Sequence, residues 1–154
     1  MSPILLIKAG DTYPDIKAVH GDFEEMIVAC VPENSIEITV FDAREQLDLP
    51  QLSNFTGVII TGSHTMVTDE EPWSERLLPY IREMYQSQIP VFGICYGHQL
   101  ITKAMGGRVD YHKQGIQAGT IPVTLTEAAQ DDPIFSQLPA TFSGNVGHSQ
   151  SAME

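Results

Sequence analysis

The sequence predicts a three-layer α/β fold built on a doubly wound, mostly parallel sheet. Three observations carry that expectation. Short apolar, β-branched runs recur at residues 3–7, 36–41, 57–61 and 91–94, and runs of this kind read as strands covered on both faces. Stripes of apolar residues at helical spacing alternate with them. Two glycine-bearing turns, Gly62-Ser63 and Gly93-Ile94-Cys95-Tyr96-Gly97, lie at the ends of two of these runs. Open α/β sheets place their sites beyond the carboxyl ends of the strands.

Residues 3–7 are the first strand, with a polar loop from Lys8 to the Pro14 region. Ile16, Val19, Phe23, Met26, Ile27 and Cys30 then repeat at helical spacing, predicting one amphipathic helix over 14–30 with Cys30 in the core. Residues 36–41 alternate and form the second strand, and 57–61 the third. Trp73, Leu77, Leu78, Ile81, Met84 and Tyr85 make a second helical stripe, interrupted at Pro79, where a helix bends or restarts. Trp73 reads as a packing residue. After the strand at 91–94 a helix runs over 97–105, and Gly106-Gly107 ends it. Residues 108–111, 120–125 and 141–145 read as further strands, the first two of antiparallel type. Asp131-Asp132-Pro133 starts a helical turn towards Leu138.

Composition bounds the function. The 154 residues suit one domain, 1–154. An apolar share of 42% with dispersed charge belongs to a globular chain rather than a disordered one. A net charge of −12 repels polyanions, so no nucleic-acid partner is expected. No apolar run has the length of a membrane span or a signal-peptide core. The two cysteines, Cys30 and Cys95, make no disulfide framework. A cytoplasmic protein with reduced thiols is expected, with no membrane partner and no metal or cofactor.

Cys95 carries the chemistry. Strand, sharp turn and helix with a nucleophile between glycines is the thiol form of a nucleophile elbow. The glycines remove Cβ atoms where the chain is crowded. The thiol lies at a helix N-terminus, which favours thiolate, and the Tyr96 N–H points where an oxyanion would form. The plainer alternative is a buried structural cysteine beside a turn.

Gly93-Ile94-Cys95-Tyr96-Gly97-His98-Gln99-Leu100 resembles the active-site signature of class I glutamine amidotransferases, such as the glutaminase domain of GMP synthase. Thr61-Gly62-Ser63-His64 is similar to that family's oxyanion loop, and Glu71-Pro72-Trp73 to a segment before the next helix. Gly106-Gly107-Arg108-Val109 resembles the turn after the elbow helix, and Gly147-His148-Ser149-Gln150-Ser151 a late substrate-pocket segment. The resemblance implies a flavodoxin-like sheet and hydrolysis of the glutamine side-chain amide through a Cys95 thioester. It implies an oxyanion hole from Gly62, Ser63 and Tyr96, with glutamine bound by Gln99, His148, Ser149 and Gln150. Where many relatives have two glycines in the oxyanion loop, this sequence has Gly62-Ser63. For Gln99 the alternative is a solvated helix glutamine.

The family's base and its orienting acid lie in a His-x-Glu motif. The five histidines here, His20, His64, His98, His112 and His148, have no glutamate two residues on. His98 lies three residues along a helix from Cys95 and points away from it. The expectation is therefore an amidotransferase truncated at its C-terminus, with an incomplete sheet and weak activity alone; a homodimer is one way to complete it. Ammonia would pass to a separate synthetase partner. The alternatives are a γ-glutamyl peptide hydrolase and a non-catalytic binding protein on an amidotransferase core. A related superfamily of small stress-associated cysteine hydrolases often has histidine after the nucleophile, where this chain has Tyr96.

Overall fold

The computed structural model describes residues 3–32 and 35–154. Its contacts form two compact units, one running to Asp110 and rejoined by Ser151–Glu154, the other spanning Tyr111–Gln150.

The first unit is built on a parallel sheet of four strands: β1 (Ile4–Lys8), β2 (Ile38–Asp42), β3 (Gly57–Ile60) and β4 (Val91–Gly93), in the order β2-β1-β3-β4. Leu6 pairs with Val40 on one side and Ile59 on the other, and Ile59 pairs with Phe92. Each strand lies within two residues of its expected bounds. The reversal of strand order falls between β1 and β3, where open sheets open a crevice.

Side chains alternate across the sheet. Leu5, Ile7, Phe41, Val58 and Ile60 share one core with helix α4 (Leu77–Gln86) and helix α5 (Tyr96–Ala104). Leu77, Tyr80, Ile81 and Met84 come from α4, and Tyr96, Leu100 and Ala104 from α5. Burying such side chains stabilises by about 1.5–3 kcal/mol each. Trp73 packs against this core from α3 (Pro72–Glu75), as the sequence reading expected.

Three expectations need correction. The helix foreseen over 14–30 is two helices, α1 (Pro14–His20) and α2 (Phe23–Ala29). Gly21 takes φ 81°, and Asp22 starts a new helix through a capping box with Glu25; the two side chains satisfy end N–H groups that a continuous helix would have used. Rotating the second half this way leaves neither helix with a fully buried residue. Cys30, expected in the core, caps α2 and is exposed. The break in the Trp73–Tyr85 stripe falls at Arg76, not Pro79. Pro79 is the third residue of α4, where its missing N–H has no intrahelical acceptor to lose. Tyr85 is exposed rather than part of the buried stripe.

Two short strands lie where the chain leaves and rejoins this unit, β5 (Val109–Tyr111) and β8 (Gln150–Ala152), and they pair. The Arg108 N–H donates to the Glu154 carbonyl at 3.1 Å, and the Met153 N–H to the Arg108 carbonyl at 2.8 Å. Strand β8 was not foreseen.

The second unit is an antiparallel pair, β6 (Gln117–Thr124) and β7 (Thr141–His148), with Gln117 opposite His148 and Thr124 opposite Thr141. Both strands are edges, so Pro122 costs no ladder bond on its outer side. Between them the Asp132 carboxylate accepts from the Ile134 and Phe135 N–H groups at 2.8 and 2.9 Å, fixing the helical turn expected there. Among the described residues no helix is long and apolar enough to cross a membrane.

Candidate active site

Cys95 lies between the end of β4 and the start of α5, with φ 50° and ψ −103°. A non-glycine residue in that region is strained, and such strain concentrates at functional sites. The surroundings impose it. A Cβ on Gly93 would lie 2.5 Å from the His98 nitrogen and 2.6 Å from the Gly97 carbonyl carbon. One on Gly97 would lie 2.4 Å from the Ile60 carbonyl oxygen. Only glycine lets α5 start this close to β3 and β4. Hydrogen bonds then fix the elbow: Ile94 N–H to Ile60 O at 3.0 Å, Gly97 N–H to Ile94 O at 2.9 Å, and Gln99 N–H to Cys95 O at 3.1 Å.

The loop after β3 lies beside the thiol. A Cβ built on Gly62 would be 3.7 Å from the Cys95 Cβ, an ordinary contact. The loop after β1 supports it from the other side, since a Cβ on Gly10 would come within 2.7 Å of the Ser63 Cα. Buried Thr61 ties the loops together: its Oγ1 accepts from the Ala9 N–H at 2.9 Å and donates to the Gly62 carbonyl at 3.0 Å. The Ser63 Oγ accepts from the Thr65 N–H at 3.1 Å. Loops following β1, β3 and β4 thus meet at the carboxyl end of the parallel strands.

Cys95 is partly buried, and burial pushes its thiol above the ordinary value, opposed by a hydrogen bond from the Tyr96 N–H. Burial thus works against the thiolate that a helix N-terminus favours, and a neighbouring base would offset it. Tyr96 also anchors the start of α5. Its ring is 5.6 Å from Trp73, and its hydroxyl shares a 2.6 Å hydrogen bond with buried Ser74. Burial also raises this phenol. Gln99 is 5% exposed, which excludes a solvated glutamine. His98, next to it, is exposed.

His148, Ser149 and Gln150 belong to the second unit. The His148 Nε2 lies 2.8 Å from the Gln117 Oε1, and its ring stacks on His112 with centroids 5.1 Å apart. The Ser149 carbonyl accepts from the His112 N–H at 3.0 Å. Gln150 is buried.

One cluster escaped the sequence reading. Lys8, assigned to a polar loop, is the buried last residue of β1. Its ammonium meets Asp22 at 2.8 Å, Glu24 at 2.6 Å and Asp11 at 2.9 Å. Burial alone would lower its pKa, but the three carboxylates outweigh that and raise it. Asp22 is fully buried; burial would raise its pKa, but Lys17, Lys8 and the Thr12 N–H outweigh that and hold it well below the carboxylate range. Asp11 is three residues from Lys8, but Asp22 and Glu24 are 14 and 16 away, and no local pattern announces those two.

A strained thiol at the head of a helix, flanked by a glycine loop on a parallel sheet, defines an α/β protein with a cysteine elbow. The family model for class-I glutamine amidotransferases matches residues 16–154, and the chain belongs to that family. It is 33% identical to a GMP synthase [glutamine-hydrolyzing] of Clostridium kluyveri over 125 residues, covering 80% of this chain and 21% of that protein. It is 24% identical to gamma-glutamyl peptidase 5 of Arabidopsis thaliana over 143 residues, 90% of this chain and 57% of the other. The crystal structure of a glutamine amidotransferase from Thermotoga maritima superposes with TM-score 0.74 at 22% identity, covering 99% of this chain and 63% of that one. The chain spans about half the length of the first curated relatives it matches.

Proposed function

We infer that this chain is a glutaminase module in which Cys95 attacks the side-chain amide of glutamine. The Cys95 sulfur bonds to the amide carbon, the C–N bond breaks, and the nitrogen leaves as ammonia once protonated; water then cleaves the thioester to glutamate. The N–H groups of Tyr96 and of the Gly62-Ser63 loop are suited to the oxyanion, because both segments lie beside the thiol. Gln99, buried one turn along α5, is suited to holding the substrate. The roles of His148, Ser149 and Gln150 rest on the sequence resemblance alone. The observation that carries the reading is the strained φ of Cys95 together with Gly62 in contact with it. The GMP synthase relative makes a synthetase the expected acceptor of ammonia.

A second reading, a glutamine-binding protein without turnover, is favoured by one observation. The five histidines of the 154 residues include no His-x-Glu pair. A protection assay tests the shared part of both readings. L-Glutamine should slow alkylation of Cys95 while leaving Cys30 unaffected. Equal alkylation of Cys95 with and without glutamine contradicts them.

A further inference from the structure

Thr61 directly follows β3 and is fully buried, although its side chain carries a hydroxyl. A buried hydroxyl costs free energy unless it is hydrogen-bonded. This one is used in both directions. Its oxygen accepts from the Ala9 N–H at 2.9 Å, and its hydrogen goes to the Gly62 carbonyl at 3.0 Å. The Thr61 N–H donates in turn to the Ile7 carbonyl at 3.0 Å. Thr61 is therefore tied to β1 and the residue after it at two points, once through its backbone and once through its side chain.

The bond to Gly62 fixes a direction. A trans peptide points its C=O and its N–H to opposite sides, and the Gly62–Ser63 peptide is trans. Holding the Gly62 carbonyl on Thr61 thus sets where the Ser63 N–H points. Among the described residues that N–H meets no acceptor. The peptide starts beside the thiol: a Cβ on Gly62 would lie 3.7 Å from the Cys95 Cβ and 3.9 Å from the Ile94 carbonyl oxygen. Ser63 is confined from the other side by Gly10, where a Cβ would come within 2.7 Å of its Cα. A donor stabilises an oxyanion most when it is already held in place before the charge develops.

We propose that Thr61 is a positioning residue of the oxyanion hole. Its hydroxyl holds the Gly62 carbonyl and so aims the Ser63 N–H at the oxygen of a carbonyl group under attack by Cys95. The inference rests on the reading of Cys95 as an acyl-transfer nucleophile with the Gly62-Ser63 loop beside it. Thr61 itself meets no substrate and acts only through the peptide it holds.

The test uses the whole chain and two reagents that differ in one respect. p-Nitrophenyl acetate passes through an oxyanion: the sulfur bonds to the acetyl carbon, the ester C–O bond breaks and p-nitrophenolate leaves. Iodoacetamide alkylates the sulfur by displacing iodide, with no oxyanion. Both are run at one pH, so the thiolate fraction cancels, and peptide mapping follows Cys95 with exposed Cys30 as reference. In the parent, the ratio of acetylation to alkylation should be about tenfold or more higher at Cys95 than at Cys30. Removing an oxyanion donor outright costs about 10²- to 10³-fold, so loosening one in Thr61→Val should lower the Cys95 ratio about tenfold. The alkylation rate should stay nearly unchanged, and Thr61→Ser should keep the parent ratio. A thermal unfolding curve checks each variant; if Thr61→Val does not fold, Thr61→Cys, whose thiol is a weaker donor and acceptor, is read in its place. A Cys95 ratio that survives loss of the hydroxyl, or that falls equally in Thr61→Ser, overturns the role of Thr61 and leaves the site intact. Equal ratios at Cys95 and Cys30 in the parent overturn the oxyanion hole and the proposal with it.

Discussion

Gly62 and Cys95, 33 positions apart in the chain, are neighbours: a Cβ on the glycine would lie 3.7 Å from the cysteine Cβ. That spacing is ordinary contact, unlike those at Gly93 and Gly97, where a Cβ would collide with backbone atoms. Gly97→Ala drives a methyl to 2.4 Å from a backbone oxygen of β3. It should destabilise by about 1–3 kcal/mol or more, despite alanine's better helix propensity. Gly62→Ala should unfold in urea at nearly the parent midpoint. Chemical denaturation of the two variants side by side checks this, and equal losses would contradict it.

The elbow, the four parallel strands and helices α4 and α5 were legible in the sequence because each depends on local pattern. Apolar runs mark Leu5, Ile7, Val58 and Ile60, and the glycines around Cys95 mark the turn. The break at Gly21-Asp22 had a local signal, the Asp22 and Glu25 capping pair, which the apolar stripe overrode. Cys30 was misplaced as a consequence, since its predicted burial depended on an unbroken helix. The Lys8 cluster was not legible because it forms only when the start of α2 folds back on the end of β1, and the approach of Gly10 to Ser63 only when the loops after β1 and β3 come together.

The Lys8–Asp22 pair predicts acid sensitivity. Asp22 has a folded-state pKa depressed below its unfolded value of about 3.9. Its contribution is therefore present above that pH and is lost as pH falls through the folded value. Lys8 is raised, so its share is complete below about 10.4 and is lost only as pH rises through its folded value. Stability should decline as pH drops below about 4. Asp22→Asn should cost about 1.5–3 kcal/mol at neutral pH, because it removes the buried carboxylate that Lys8, Lys17 and the Thr12 N–H share, and should flatten the acid slope. Urea midpoints between pH 2 and 7 measure both effects; an unchanged slope would show that other carboxylates govern it.

Turnover by the 154-residue chain should be slight. In 154 residues that hold no His-x-Glu pair, a thiol raised by burial should forfeit general acid–base catalysis, about 10²- to 10⁴-fold. Ammonia release from glutamine should lie near background, with little further loss in Cys95→Ala. Robust release abolished by Cys95→Ala would mean that one of the five histidines acts as base, and His98→Ala and His148→Ala would identify which.

Exposure and ionisation together set the thiol reactivities. Cys30 is exposed, whereas Cys95 is partly buried with its pKa raised. Iodoacetamide at neutral pH should modify Cys30 first. Alkylation of Cys95 should accelerate with pH to a midpoint above the ordinary thiol value of about 8.5, which timed labelling across pH would reveal. A midpoint below that value would restore the thiolate expected from the helix N-terminus.

A glutamine-shaped electrophile, an analogue carrying a diazoketone in place of the side-chain amide, reverses that order if Cys95 is the nucleophile of a glutamine site. Peptide mapping after limited treatment should place the label on Cys95, with Cys30 unmodified and excess glutamine suppressing the reaction. Label on Cys30, or label on Cys95 that glutamine leaves unchanged, would contradict the assignment of this site to glutamine.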